Sequence, residues 1–274
     1  MMTPRCIGLF VISIAALCGC NKKERPFQLL SSRDTNVTFN NLITESDTLN
    51  VLAFEYIYNG SGVGVGDFNN DGLSDIFFGG NMVSSRLYLN KGDFKFEDVT
   101  AKAGLTTNFW ATGVSVVDIN NDGFDDIYVC ASGKKDPSQR TNKLYINNGF
   151  SPSPSGESRG EVAFTEEAEQ YGLADTSYST QAVFFDYDKD GDLDMYLMNH
   201  LLYNLNANTV VSPNDSVHDA ATDKLYRNEG TPKGMNHPVF KDVSKEAGIK
   251  DFGYGLGIVV SDFNNDNYFC FLLV

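Results

Sequence analysis

Short apolar runs alternate along this chain with loops crowded with oxygen-bearing side chains. Val63-Gly64-Val65-Gly66, Val114-Ser115-Val116-Val117, Ala182-Val183-Phe184-Phe185 and Ile258-Val259-Val260-Ser261 each precede such a loop. Ile76-Phe77-Phe78, Ile127-Tyr128-Val129 and Met195-Tyr196-Leu197 follow three of them. Runs this short, rich in β-branched and aromatic residues, predict buried strands rather than helices. The loops are copies of one another: Asp67-Phe68-Asn69-Asn70-Asp71-Gly72-Leu73-Ser74-Asp75, Asp118-Ile119-Asn120-Asn121-Asp122-Gly123-Phe124-Asp125-Asp126 and Asp186-Tyr187-Asp188-Lys189-Asp190-Gly191-Asp192-Leu193-Asp194. A fourth starts as Asp262-Phe263-Asn264-Asn265-Asp266, then has Asn267 in place of Gly and Cys270 in place of the last acid.

Two further signatures recur after each loop. One is Arg86-Leu87-Tyr88-Leu89-Asn90, Lys143-Leu144-Tyr145-Ile146-Asn147 and Lys224-Leu225-Tyr226-Arg227-Asn228, a strand running into an Asn/Gly turn. The other is Phe96-Glu97-Asp98-Val99 with Ala103-Gly104-Leu105, and its counterparts at Phe164 with Gly172 and at Phe240 with Gly248. Each unit thus reads strand, acidic loop, strand, connection, strand, turn, strand. Four strands per unit at a period of fifty residues or more is the sequence form of a β-propeller blade. The first aspartates of successive loops are 51, 68 and 76 residues apart, so the units share a core and differ by insertions. Gly62, Gly113 and Gly257 each stand five residues before a loop, where backbones are expected to crowd. The segments Phe27–Leu30 and Val37–Phe39 are weaker strand candidates. The fold expected is all-β: four-stranded propeller blades, three complete and a fourth begun.

Oxygen ligands at positions 1, 3, 5 and 9 of a loop suit a hard divalent cation, and the Gly at position 6 permits the sharp turn. An EF-hand would need a bidentate Glu at position 12 and flanking helices. Position 12 is Phe78, Val129 or Leu197 here, and strands flank the loop. Asn-Asp-Gly alone is also a common hairpin turn; three full copies with the same acid spacing favour metal. Gly60-Ser61-Gly62-Val63-Gly64-Val65-Gly66 lacks the spacing of a nucleotide-binding loop, and a strand follows it rather than a helix.

The net charge of −15 argues against nucleic acid, whose phosphates need Lys and Arg. About a third of the 36 acidic residues fall in the three complete loops, so much of this charge is local. At the N-terminus, Arg5 precedes an apolar run from Ile7 to Leu17, too short to span a bilayer but suited to a signal sequence. Leu17-Cys18-Gly19-Cys20 resembles a bacterial lipobox, with Cys18 as a departure. That resemblance implies a leader over 1–19, lipidation at Cys20, a tether over 20–26 and a domain over 27–274. Two or three acyl chains would anchor stably. Cys130 and Cys270 then remain, with no disulfide framework, and Cys130 reads as a buried thiol.

With all three signatures in view, the units resemble the FG-GAP/VCBS repeats of the integrin alpha propeller class. Their Leu-Tyr-x-Asn and Ala-Gly-Leu punctuation is similar to the propeller part of bacterial ASPIC/UnbV-type proteins, relatives of cartilage acidic protein. The resemblance covers about residues 50–266 and implies one Ca²⁺ in each hairpin loop, about three sites. The ligands it implies are Asp67, Asn69, Asp71, Leu73 (carbonyl) and Asp75; Asp118, Asn120, Asp122, Phe124 (carbonyl) and Asp126; and Asp186, Asp188, Asp190, Asp192 (carbonyl) and Asp194. Three blades and part of a fourth fall short of the usual four to eight. A truncated or frame-shifted piece of a longer protein is therefore expected, the remainder holding further blades and any C-terminal ASPIC/UnbV domain.

The function expected is a calcium-binding, non-catalytic binding or adhesion module, exported to the bacterial cell envelope and lipid-anchored at the outer membrane. Its partner would be a protein or glycan ligand at the cell surface, with no nucleic acid. Two alternatives are a propeller-type hydrolase or lyase acting on extracellular polysaccharide, and a scaffold for a missing C-terminal domain. No Gly-x-Ser-x-Gly elbow or His-Glu-x-x-His site supports the enzyme. His200, His218 and His237 lie in or beside insertions without fixed spacing. The long insertion over 199–223, with Tyr203, is a candidate binding surface.

Overall fold

The structure, a computed structural model, describes residues 27–150, 162–201, 220–250 and 253–273. The expected leader, the expected tether with Cys20, and most of the 199–223 insertion with Tyr203 and His218 lie outside the described residues. Contacts divide the chain into two units, 1–31 and 32–274. In the first, residues 27–30 are exposed and form no strand, so that expectation is corrected.

The second unit is a succession of antiparallel sheets in chain order, the pattern of an incomplete propeller. The first holds β1 (Val63–Gly66), β2 (Asp75–Phe78), β3 (Arg86–Asn90) and β4 (Phe96–Asp98). The second holds β5 (Ala111–Val117), β6 (Asp126–Ala131), β7 (Lys143–Phe150) and β8 (Val162–Glu166). The third holds β9 (Ser179–Phe185), β10 (Asp194–Asn199), β11 (Lys224–Asn228) and β12 (Phe240–Asp242). Then β13 (Ile258–Ser261) pairs with β14 (Cys270–Leu273) alone. The acidic loop always joins the first two strands in one register: Gly66 faces Asp75, Val117 faces Asp126, Phe185 faces Asp194 and Ser261 faces Cys270.

The core lies between sheets rather than within any one of them. Phe68, Phe77, Leu87 and Leu105 of the first blade pack against Ala111, Ile127, Val129 and Phe164 of the second. Tyr128, Leu144, Tyr171 and Leu173 of the second meet Ala182, Met195, Leu197 and Phe240 of the third. Strands β6 and β10 are buried at every position because each is covered on both faces. Phe68 and Ile119, at position 2 of their loops, are buried apolar anchors that hold the loop to the sheet interface. Burying a side chain of Phe68's size is worth about 1.5–3 kcal/mol.

Close blade approach explains two of the three glycines. A Cβ on Gly62 would lie 2.5 Å from the Val114 nitrogen, and one on Gly113 would lie 2.4 Å from the Thr180 carbonyl oxygen. At Gly257 nothing comes within 4 Å, so crowding is not the reason there. Val37–Phe39 is also corrected: it pairs with no strand. The Thr38 N–H donates to the Tyr88 hydroxyl and Phe39 stacks on Phe78 at 5.1 Å, so side chains rather than a ladder hold it down. Strand β1 is less buried than its apolar composition suggests, with Val63 52% and Val65 58% exposed. Among the described residues no helix is long and apolar enough to cross a membrane.

Candidate metal centres

The first aspartate of each loop organises the turn. The Asp67 carboxylate accepts the Asp71 N–H at 3.0 Å and the Gly72 N–H at 2.7 Å. Asp118 does the same for Asp122 and Gly123, and Asp186 for Asp190 and Gly191. Position 5 then accepts the position 7 N–H, at 2.9 Å for Leu73 on Asp71, Phe124 on Asp122 and Asp192 on Asp190. The Gly at position 6 is left-handed, with φ of +83°, +87° and +98°. The fourth loop keeps this turn without the glycine. Asn267 adopts φ +67°, a region Asn tolerates, and its N–H donates to Asp262 at 2.7 Å.

The last acid faces inward. Asp75, Asp126 and Asp194 are fully buried, and both oxygens of each accept a backbone N–H. Asp75 takes Phe68 at 3.0 Å and Asn90 at 2.7 Å; Asp126 takes Ile119 at 3.1 Å and Asn147 at 2.7 Å; Asp194 takes Tyr187 at 3.0 Å and Asn228 at 2.8 Å. The carboxylate thus clamps the start of its own loop to the end of the third strand. The donors on the third strand are the asparagines of the Leu-Tyr-x-Asn signature. Their side chains also reach back, donating to the position 8 carbonyls of Ser74, Asp125 and Leu193. Two motifs that recur separately in the sequence are therefore one structural unit. Only their fixed order in every repeat marks this pairing in the sequence.

Burial raises the carboxyl pKa of all three clamps, to about 6 for Asp75, about 7 for Asp126 and about 6 for Asp194. The two N–H donors oppose this by favouring the ionised form, while the loop's other aspartates add to it by repulsion. A cation would relieve that repulsion, so the donor set fits a hard divalent ion in chemistry as well as in spacing.

All fifteen candidate ligands fall within the described loops. In the third, carboxylate oxygens of Asp186, Asp188 and Asp194 lie within 4.8 Å of one another, the one such acidic trio among the described residues. Asp190 and Asp192 belong to the same turn. In the first two loops the second member is an amide: Asn69 and Asn120 donate through Nδ2 to Asp71 and Asp122, and accept their N–H groups at Oδ1. Successive loops are also tied together. The Asp67 N–H donates to Asp125 at 3.0 Å, Asn70 donates to the Gly123 carbonyl and Asn147 donates to the Phe68 carbonyl. Asp125, at position 8, carried no assignment from the sequence.

The remaining titratable candidates separate cleanly. Cys130 is a buried free thiol whose pKa burial raises, and Cys270 is also free. His237 stacks on Tyr171 at 4.5 Å beside the second loop. His200 follows β10 as a buried residue at the start of the 199–223 insertion.

Comparison with known proteins agrees with this architecture. Residues 55–129 match the family model of the FG-GAP-like repeat. Over 209 residues, 76% of the chain, it is 25% identical to human cartilage acidic protein 1. The matched region is 27% of that protein, so the chain spans only part of its relative's length.

Proposed function

From the premise that this is an FG-GAP repeat protein, we propose that it is a calcium-binding, non-catalytic binding module held at the bacterial cell surface by a lipid on Cys20. The observation that carries the reading is periodicity. Every complete unit repeats the same acidic turn, with the same inward clamp and the same asparagine partner. A catalytic constellation occurs once in a chain, whereas these acids recur in each blade.

The ion would be held by Asp67, Asn69, Asp71 and Asp75, by Asp118, Asn120, Asp122 and Asp126, and by Asp186, Asp188, Asp190 and Asp194, with the Leu73, Phe124 and Asp192 carbonyls as further oxygens. Bound calcium supplies positive charge where carboxylates converge and so stiffens the hairpin between the first two strands. Flexible all-oxygen coordination suits Ca²⁺ better than Mg²⁺, which demands a near-ideal octahedron and keeps its water. The rigid blades would then present loops to a protein or glycan partner outside the cell.

Calorimetric titration of the chelated protein with Ca²⁺, alongside melting in Ca²⁺ and in EDTA, tests the ion. About three sites and a higher Tm in Ca²⁺ are expected; an identical melt in EDTA refutes it. The anchor is tested separately: radiolabelled palmitate should enter the wild type and not Cys20→Ala.

A further inference from the structure

The first strands of the blades have two ends. The acidic loops leave from one, and at the other a cavity of about 210 Å³ opens. Its wall is drawn from every blade: Gly60 to Gly62 ahead of β1, Trp110 and Thr112 at β5, Thr180 and Gln181 at β9, His200 after β10, and Leu256 ahead of β13. Residues so far apart in sequence converge because each unit delivers its inner strand from the same direction. We propose that this cavity is a binding site for one neutral, polyhydroxylated ring, a single sugar residue, with His200 as its central polar contact.

Three observations carry the assignment. The first is size: drug-sized ligands occupy clefts of roughly 300–1,000 Å³, so this cavity suits a single ring. The second is chemistry. The described wall holds no charged side chain; it combines the half-buried ring of Tyr56 with the hydroxyl oxygens of Ser61, Thr112 and Thr180, each of which donates to a backbone carbonyl and so meets a ligand as an acceptor, and the amide of Gln181. Aromatic faces suit the C–H faces of a sugar and hydroxyls and amides suit its edges, whereas a phosphate, carboxylate or ammonium would find no counter-charge.

The third is His200. It is 1% exposed, its Nε2 lies 3.0 Å from Ser132 Oγ, and its Nδ1 has no hydrogen-bond partner. An orphaned buried polar atom destabilises the fold, and a ligand hydroxyl would satisfy it. Burial lowers the imidazole pKa to about 4, so the ring is neutral at ordinary pH and can donate or accept, as its tautomer sets. Tyr56 stacks on it at 4.6 Å and fixes its plane.

This site deepens the binding-module reading and rests on it, but does not rest on the ion. The test uses the whole chain and a panel of methyl glycosides of neutral hexoses, N-acetylglucosamine and glucuronate at millimolar concentration, read by saturation-transfer NMR. Two variants accompany the wild type. His200→Phe keeps the ring and removes Nδ1, and Leu256→Trp, at an exposed rim position, covers the mouth without entering the core. At least one neutral glycoside should bind the wild type, bind about tenfold more weakly to His200→Phe, a loss of about 1.4 kcal/mol, and not bind Leu256→Trp. No binding by any neutral glycoside, a preference for glucuronate, or equal binding by wild type and Leu256→Trp overturns the proposal. Repeating the titration in Ca²⁺ separates the readings: an intact calcium response without sugar binding sinks this site alone, and sugar binding without a calcium response sinks the ion alone.

Discussion

Replacing Asp126 with Ala tests the clamp directly. The side chain is fully buried, and its removal strands two donors, the Ile119 N–H now at 3.1 Å and the Asn147 N–H now at 2.7 Å. Leaving a buried donor unpaired costs about 1–3 kcal/mol, so the loss should be about 2–6 kcal/mol. Against a typical total stability of roughly 5–15 kcal/mol, that shift is large enough to read at once. Asp122→Ala is the control: the same loop loses a carboxylate, but an exposed one that holds the Phe124 N–H and the exposed Asn120 side-chain amide. It should change stability by about 0.5 kcal/mol or less without calcium. Both variants unfold in urea with EDTA present, followed by fluorescence of Trp110, the chain's one tryptophan and 3% exposed. Asp126→Ala should move the midpoint strongly at unchanged slope. If both variants unfold at the same urea concentration, the last acid is not a clamp and the argument fails.

Other outcomes follow from the same geometry. The clamps' folded pKa values, about 6 to 7, lie above the unfolded value, so the native state holds more protons between roughly pH 4 and 7. Their contribution is present below that window and is lost as pH rises through it in EDTA; calcium should flatten the loss and bind more tightly at higher pH. His200, with a lowered pKa, acts in the opposite sense, so the readout is the difference between melts with and without calcium, and a difference independent of pH would refute the coupling. Gly113→Val should cost several times more stability than Gly257→Ala, about 1–3 kcal/mol or beyond against nearly none, because only the first drives a Cβ into backbone; equal midpoints would contradict the packing. Asp125→Ala should cost about 1 kcal/mol by freeing the Asp67 N–H, measured by the same urea titration; no change would remove the link between loops.

The hairpin register was legible because Asp67 to Asp75 and its copies have one length and flank themselves with strand residues. The inward turn of the last acid was not. Its second partner lies 15 residues on at Asn90, 21 at Asn147 and 34 at Asn228, so no fixed spacing announces the pair. Placement of the core between blades was equally silent, since an apolar strand does not say which neighbour covers it. Gly257 was misjudged because sequence position reports the repeat, whereas crowding depends on what packs beside it. His200 stood out only as part of the 199–223 insertion; its burial was not legible because it comes from distant groups, Tyr56 and Ser132.

The fourth turn holds its form with an asparagine for the glycine and a cysteine where the closing acid would be. The outline of the hairpin and its full set of acids thus reside in different residues: the first aspartate shapes the turn, and the ninth position is free to change without undoing it. An engineered unit could on that ground lose its closing carboxylate and still hold its tight corner beside its neighbours.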